Sequence, residues 1–589
     1  MGSLVRLFGY LSRYRGPLFL SIGLMLCATA FTLVQPRIVQ WTIDAGIGEQ
    51  DARTVVRGTL LIVTAALAGG TLHLLSGILI AQASQGMGYE IRNAVFQSIL
   101  EMSFSNLDAH RTGELIVRNT SDVTTVRMFV RMGFMMMLQS IATLSGSLVF
   151  MFDMNVSLAR IMLVIFLGII TLFLVLASVI RPLIMKVREK LDELNNALQE
   201  NLAGAKLIRA FGRRGSELTR FRDRNDEYLA ISLRAGYIMA MAFPFLFLLG
   251  QLALVAVSWL GGLSVIDANT TGIADGISLG QLVAFNEYAM LAMWPILALG
   301  MTLQFMARAA ASAVRITEIL DEEPAVREPA TPRAFLPGDS SVEFRGVSFH
   351  YGKGEPAIDD VSFRIETGET VGIIGRTGSG KSTLAALIPR YYDATAGGIL
   401  VGGLPVDASS LGDLRRKALV VLQEAVLLSG TIEENVAYSL GRIPLTPKER
   451  ERRLQAALRT ASGDDILETR TEGWQSTVGE RGTGLSGGQR QRIAIARAIA
   501  AQPDILILDD VTSALDGATE RRIVESLFRE CADTTLIIIS QKVHTVRQAH
   551  RILVMEEGRI IGDGTHEHLL QDNAVYRQIA ETQRMELHA

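Results

Sequence analysis

Six long stretches of this 589-residue chain carry almost no charge, and each is long enough to cross a lipid bilayer. The hydrocarbon core of a bilayer takes about 20 mostly apolar helical residues. Pro17 to Val34, Gly58 to Ala83, Gly133 to Phe152, Ile161 to Ile180 and Tyr237 to Ser264 contain no Asp, Glu, Lys or Arg. A sixth stretch, Leu279 to Ala307, has a single acid, Glu287. Lipid satisfies no backbone polar group, so runs of this length read as helices. The overall hydrophobic content of 49% excludes disorder, and two cysteines, Cys27 and Cys531, exclude a disulfide scaffold. A net charge of −3 gives no electrostatic reason to expect nucleic acid as a partner. Most of the charge lies in the loops and the C-terminal half. The chain therefore reads as a membrane domain joined to a large aqueous one.

Six spans put both chain ends on one side of the membrane, and the basic residues say which side. Arg6, Arg13 and Arg15 precede the first span. The connections Ser84 to Met132 and Arg181 to Gly236 are rich in Arg and Lys, whereas Asp153 to Asn155 and Val265 to Ser278 have none. The first outer loop has Arg37, Arg53 and Arg57, offset by Asp44, Glu49 and Asp51. Both termini are thus expected in the cytoplasm of a bacterial cell, with the chain in its inner membrane. A cleavable signal peptide would end at Ala28-Thr29-Ala30, but the apolar run continues to Val34, and Leu4 to Tyr14 reads as an amphipathic interfacial helix. In the inner connections, Ala83 to Glu101 and Arg181 to Ala203 repeat Leu, Ile and Met with helical spacing. The spans are expected to run on into the cytoplasm, projecting turns near Asp108 to Thr112 and Ala210 to Glu217.

Composition breaks at Asp321-Glu322-Glu323-Pro324, and prolines continue to Pro337. The domain reading is membrane domain 1–320, linker 321–340 and aqueous domain 341–589. In the last of these, the apolar strand Thr370 to Ile374 runs into Gly375-Arg376-Thr377-Gly378-Ser379-Gly380-Lys381-Ser382-Thr383. That is a G-x-x-x-x-G-K-[ST] loop. Its glycines let backbone N–H groups close around phosphates, Lys381 reaches the terminal ones, and the Ser382 hydroxyl can ligate Mg²⁺. Ile505 to Leu508 reads as a buried parallel strand delivering Asp509 and Asp510 beside that loop, Asp509 placed to hold Mg²⁺ through water. Leu485-Ser486-Gly487-Gly488-Gln489 precedes a helical segment and forms a second anion cradle. Two cradles in one chain suggest a nucleotide clamped between two subunits.

These motifs, in this order, resemble those of the ATP-binding cassette exporters, and the whole chain resembles a half-transporter of that family. The resemblance implies a six-helix all-α transmembrane domain fused to an α/β P-loop nucleotide-binding domain that uses ATP and Mg²⁺. It implies that Tyr351 stacks on adenine and that Gln423 links Mg²⁺ and the γ-phosphate to the membrane domain. It also implies that Leu485 to Gln489 act across a dimer, and that Asp516, in Ser513-Ala514-Leu515-Asp516, communicates between sites. The projecting turns would be coupling helices, and Thr112-Gly113-Glu114-Leu115 matches the exporter pattern in the first.

Two positions depart from an active ATPase of this family. Asp510 stands where the catalytic residue is usually glutamate, and Gln541 follows the strand Thr535 to Ile539 and Ser540 where a histidine usually contacts the γ-phosphate. The nearest histidine, His544, lies three places further on. Shortening a general base by one methylene withdraws it from its water, and a neutral amide carries no imidazolium charge. The chain is therefore expected to resemble the degenerate-site subunit of bacterial heterodimeric multidrug exporters. It would hydrolyse ATP poorly at its own site while its signature completes the site of a non-identical partner that has the glutamate and the histidine. A homodimer with two slow sites is the alternative.

Cargo is less legible. Glu287 is a candidate contact for a cationic or amphipathic substrate, or else a wetted residue near the outer mouth. Met135-Met136-Met137 could line a permissive cavity, but reads more readily as lipid-facing filler. His73, Gln139, Gln251, Gln281 and Gln304 read as hydrogen bonds between helices. The remaining histidines and the two cysteines show no metal-ligand spacing, which leaves Mg²⁺ as the one metal expected. Drug-like molecules, lipids and peptides all remain open as exported substrates, as do a lipid flippase, a siderophore importer and a nucleotide-gated channel.

Overall fold

Apolar runs that outlast the bilayer give helices that outlast it too. The computed structural model describes residues 2–271, 277–352, 354–441 and 443–586. Among them, six helical runs are long and apolar enough to cross a membrane. The first-span helix is Arg15–Trp41, after a short helix Gly2–Phe8 and a 3₁₀ stretch Gly9–Tyr14 that bury Leu4, Leu7 and Leu11. Ala52–Glu101, Val156–Ala203 and Arg214–Thr271 run for 50, 48 and 58 residues. At 1.5 Å per residue each is about 70 to 90 Å long, more than twice a hydrocarbon core. The third run extends from Thr112 to Met154, and the sixth helix is Leu279–Asp321. Residues 272–276 of the last outer link lie outside the described residues.

The chain divides into two compact units, Met1–Leu100 with Thr112–Glu322, and Glu101–Arg111 with Glu323–Ala589. In the first unit the C-terminal end of helix one and the N-terminal end of helix six meet closely. Asp44 accepts hydrogen bonds from the Ser278 hydroxyl (2.6 Å) and the Gly280 N–H (2.9 Å). A Cβ at Gly280 would lie 2.5 Å from the Gln40 carbonyl oxygen, so this approach requires glycine. Deeper in, the buried Tyr288 donates to the Leu33 carbonyl (2.6 Å) and stacks on Phe150. Toward the other end, buried Asp122 accepts from Arg315 Nε (2.8 Å) and Ser312 (2.8 Å), and Arg118 bridges Glu114 and Glu318. This network ties the third run to the sixth helix. Glu114 of the expected coupling pattern thus pairs within its own helical turn.

Gln281 departs from its expected role, because it completes a capping box with Ser278 at the start of its own helix instead of joining two helices. Within the second connection, the short helix Ala205–Ala210 is followed by Gly212 with φ +64°, and leaves Leu207 and Phe211 63% and 73% exposed.

The second unit has two main sheets. An antiparallel one pairs Pro356–Ile365, Val342–His350, Ala396–Val401 and Leu404–Pro405 in that order. The other orders Arg559–Gly564, Arg551–Glu556, Thr370–Gly375, Thr535–Ile539, Ile505–Asp509 and Ala418–Val421. All pairings in it are parallel except the first. Its central strands are buried along their full length, which suits near-continuous runs of Val, Ile and Leu. Segment 101–111 belongs to this unit: Phe104 stacks on Tyr391 at 4.3 Å, and Tyr392 donates to Asp108 at 2.6 Å. The proline-rich stretch expected to be a linker also packs on it. Arg390 donates to the Arg327 carbonyl (3.0 Å), Leu411 N–H to Glu328 (3.0 Å) and Arg333 N–H to the Ala408 carbonyl (2.8 Å).

Candidate nucleotide-binding site

The parallel sheet brings three loop regions together at the carboxyl ends of its central strands, the usual ligand position in such sheets. The first follows Thr370–Gly375 and enters the helix Lys381–Leu387. Gly378 and Gly380 have φ of +84° and +96°, a backbone that a side chain would strain. A Cβ at Gly380 would lie 2.4 Å from the Ala357 carbonyl oxygen, whereas Gly378 faces open space. Lys381 is buried, and its ammonium donates to the carbonyls of Gly375 (3.0 Å) and Arg376 (2.7 Å) and to Ser379 (3.3 Å). It is thus folded back into the loop that phosphates would fill.

The second region is the end of Ile505–Asp509. Ser382 donates to Asp509 at 2.9 Å. Asp510 adopts a left-handed backbone, φ +47°, and its N–H donates to the Ile539 carbonyl (2.9 Å). Aspartate tolerates that conformation better than most residues. Its carboxylate is buried and accepts long contacts from the amides of Gln423 (3.4 Å) and Gln541 (3.5 Å). Gln541, in the third region, also accepts from Thr377 at 3.2 Å.

A cavity of about 330 Å³ results. The loop side supplies Thr377, Gly378, Gly380, Lys381, Ser382 and Thr383, and the strand ends supply Asp509, Asp510 and Gln541. Tyr351 and Gln423 close the rest. Tyr351 hydrogen-bonds Thr383 (3.2 Å) and packs edge-on against Phe349 and Tyr392, which leaves the ring 46% exposed. Gly375 and Ser379 lie behind the cavity as acceptors for Lys381. For Mg²⁺ the available donors are the Ser382 hydroxyl, the Asp509 carboxylate and the Gln423 amide, a hard oxygen set that fits such an ion beside phosphates.

Leu485 to Gln489 take no part in this cavity. Ser486 caps the helix Gly487–Ala500 through a capping box with Gln489. Gly488 sits where a Cβ would be 3.2 Å from the Ala514 carbonyl oxygen, and Gln491 accepts from Ala514 N–H (3.3 Å). Asp516 caps the helix Gly517–Glu530 by accepting from the N–H groups of Ala518 and Thr519. Glu287 lies in the other unit.

The support beneath Gln541 is not visible in the sequence. The C-terminal helix Ala574–Glu586 places Gln583 so that its amide donates to the Gln541 carbonyl (2.7 Å) and accepts from Val543 N–H (2.8 Å). Gln578 accepts from Arg376 at 3.1 Å. Buried Glu520 accepts from Lys542 (2.8 Å) and Thr545 (2.6 Å) under the same turn. No short motif marks these partners, which lie tens to hundreds of positions apart.

Burial raises the carboxyl pKa of Asp509, against the Ser382 bond, and that of Asp510, against Lys381. It lowers that of Lys381, against both acids. A carboxyl whose pKa rises on folding supports the fold below the unfolded value and loses that support as pH climbs through the folded value. At neutral pH the ligand-free domain is therefore destabilised by its own site. Asp509→Asn is expected to raise the thermal midpoint of the ligand-free protein at pH 7.5. It should also remove most of the gain from MgATP, about 2.7 kcal/mol for the unaltered chain at one hundred times Kd. Calorimetry with and without MgATP checks both, and an undiminished MgATP gain in the variant would contradict the assignment.

Comparisons with known proteins agree with this geometry. Residues 18–296 match the ABC transporter transmembrane region and residues 358–513 the ABC transporter family. The chain belongs to the ATP-binding cassette transporters, as a multi-pass membrane protein of the exporter fold with an ATP-binding domain. Among its relatives is YfiB, an uncharacterized ABC transporter ATP-binding protein of Bacillus subtilis, 35% identical over 574 residues and 96% of each chain. Another is the ATP-dependent lipid A-core flippase of Desulfotalea psychrophila, 30% identical over 98% and 99% of the two chains. In fold it is similar to a bacterial Atm1-family ABC exporter solved with ATP bound, with a TM-score of 0.78 and 24% identity over 97% and 98% of the chains.

Proposed function

We propose that this chain is the degenerate-site half of a heterodimeric exporter that moves hydrophobic or amphipathic molecules out of the bacterial cytoplasm, driven by ATP. One observation carries the dimer: the cavity that would hold ATP contains no signature residue, so Ser486 to Gln489 face a nucleotide held elsewhere. The pairing of Asp510 with the two amides of Gln423 and Gln541 supports slow hydrolysis at this chain's own site. A general base needs a free lone pair aimed at water, and here two neutral donors approach the same carboxylate oxygen.

In this reading Tyr351 stacks on adenine, Lys381 leaves its carbonyl acceptors for the phosphates, and the loop N–H groups surround them. Ser382, Gln423 and Asp509 would hold Mg²⁺, which would supply charge neutralisation at the phosphates. Asp516 keeps the loop before its helix in place for communication with the partner. ATP then favours the closed pair of nucleotide-binding domains by differential binding. Segment 101–111 moves with its domain and carries the ends of Ala52–Glu101 and the third run, which opens the cargo path outward. The exposed Leu207 and Phe211 suit docking of the second turn on the partner. The arginine-rich connections support a cytoplasmic nucleotide-binding domain and cytoplasmic termini, with the chain in the inner membrane.

The relative named for lipid A-core supports a second reading, a homodimeric lipid flippase. Native mass spectrometry of the complex, expressed from its own genomic neighbourhood and purified through an N-terminal tag on this chain, separates the two. One 64.2 kDa copy with a different subunit is expected. Two identical copies would overturn the heterodimer.

A further inference from the structure

The membrane unit contains a cavity of about 760 Å³ between helices one, two, three and six. That volume is within the usual range for small-molecule sites, roughly 300 to 1,000 Å³. Glu287 lines it from the sixth helix and His73 from the second, with Gln139 from the third. His73 and Gln139 therefore face a space that a ligand can enter, instead of forming the interhelical hydrogen bonds their sequence positions suggested. Among the described residues, Glu287 has neither a hydrogen-bond donor nor an ion-pair partner.

Three observations converge on charge. A carboxylate in a membrane span is costly unless paired or hydrated, and among the described residues no Lys, Arg or His pairs with this one. None of the residues lining the cavity is Lys or Arg, so an anionic headgroup would meet the Glu287 carboxylate with no permanent countercharge beside it. The indole of Trp294, 68% exposed, and the thioethers of Met136 and Met290 share the cavity. An indole face attracts a cation, and thioethers adapt to ligands of varied shape.

We propose that this cavity is the cargo site and that it takes amphipathic organic cations, with Glu287 as the ion-pair partner and Trp294, Met136 and Met290 as the apolar walls. The inference rests on the exporter reading and narrows it, since a phosphorylated lipid lacks the charge that this cavity accepts.

The test uses the purified complex in lipid nanodiscs without nucleotide. Equilibrium binding is measured for ethidium, for the uncharged 6-phenylphenanthridine and for anionic fluorescein, and ATP affinity serves as the folding control. Ethidium is expected to bind at least tenfold more tightly than either of the others. Glu287→Gln should weaken ethidium at least tenfold while the uncharged compound and ATP stay within threefold, and Glu287→Asp should recover most of the loss. The proposal fails if Glu287→Gln leaves the preference for ethidium intact, if it weakens the charged and uncharged compounds equally, or if the unaltered complex prefers fluorescein. ATP-driven accumulation of ethidium in inside-out vesicles is read separately. Glu287-dependent binding without accumulation would sink the exporter reading and leave the cation site standing. Accumulation indifferent to Glu287 would do the reverse.

Discussion

Asp510→Glu combined with Gln541→His is expected to raise single-turnover hydrolysis at this chain's own site by about a hundredfold. A misplacement of about an ångström in a reacting group costs on that order, and a glutamate regains the reach that aspartate lacks. The structure gives a second reason to change both positions. The two amides near Asp510 come from Gln423 and Gln541 (3.4 and 3.5 Å) and approach one oxygen, so removing Gln541 takes away one of the two donors as well as restoring an imidazole. Asp510→Glu alone should therefore gain less than the pair. The measurement follows radiolabelled ATP in a complex whose other site has been silenced at its catalytic glutamate. No gain from the double variant would mean that neither residue limits hydrolysis here.

Ser486→Asp is expected to lower ATP turnover of the whole complex at least a hundredfold, while Lys381→Ala lowers it less than tenfold. Aspartate caps helices about as well as serine, so the helix Gly487–Ala500 should keep its start. Its charge would instead repel the phosphate held by the partner. Lys381, by contrast, belongs to the cavity that the degenerate-site reading makes the slow one, and on that reading its loss would empty this site without touching the faster one. Phosphate release at saturating MgATP checks the pair of variants. Equal losses would point to two equivalent sites and hence to a homodimer.

Both expectations rest on motifs that stand in the amino-acid sequence itself. Phosphate loops and strand-borne acids are legible because backbone geometry at a nucleotide forces glycine, lysine and aspartate into short fixed spacings. The spans were legible because lipid demands length and apolarity. What stayed hidden depends on distance in the sequence. Nothing local distinguishes a Gln281 that caps its own helix from a Gln139 that lines a cavity. Nor could spacing say that His73 and Glu287, more than two hundred positions apart, border one space. The proline-rich stretch after Asp321 has a linker's composition, yet Arg390 and Ala408 claim its backbone groups and Leu411 N–H its Glu328 carboxylate.

Gln583 holds the main chain on either side of position 542 with one amide. The helix Ala574–Glu586 is therefore a handle on the end of the cavity where Gln541 stands. A fusion or protease cut that unwinds the C-terminal helix would reach the nucleotide without altering any residue that touches it, which argues for placing affinity tags at the other terminus. The same linkage makes the helix a reporter. A spin label at Thr582, on its exposed face, should sense ATP arriving through the change in tension on one glutamine side chain.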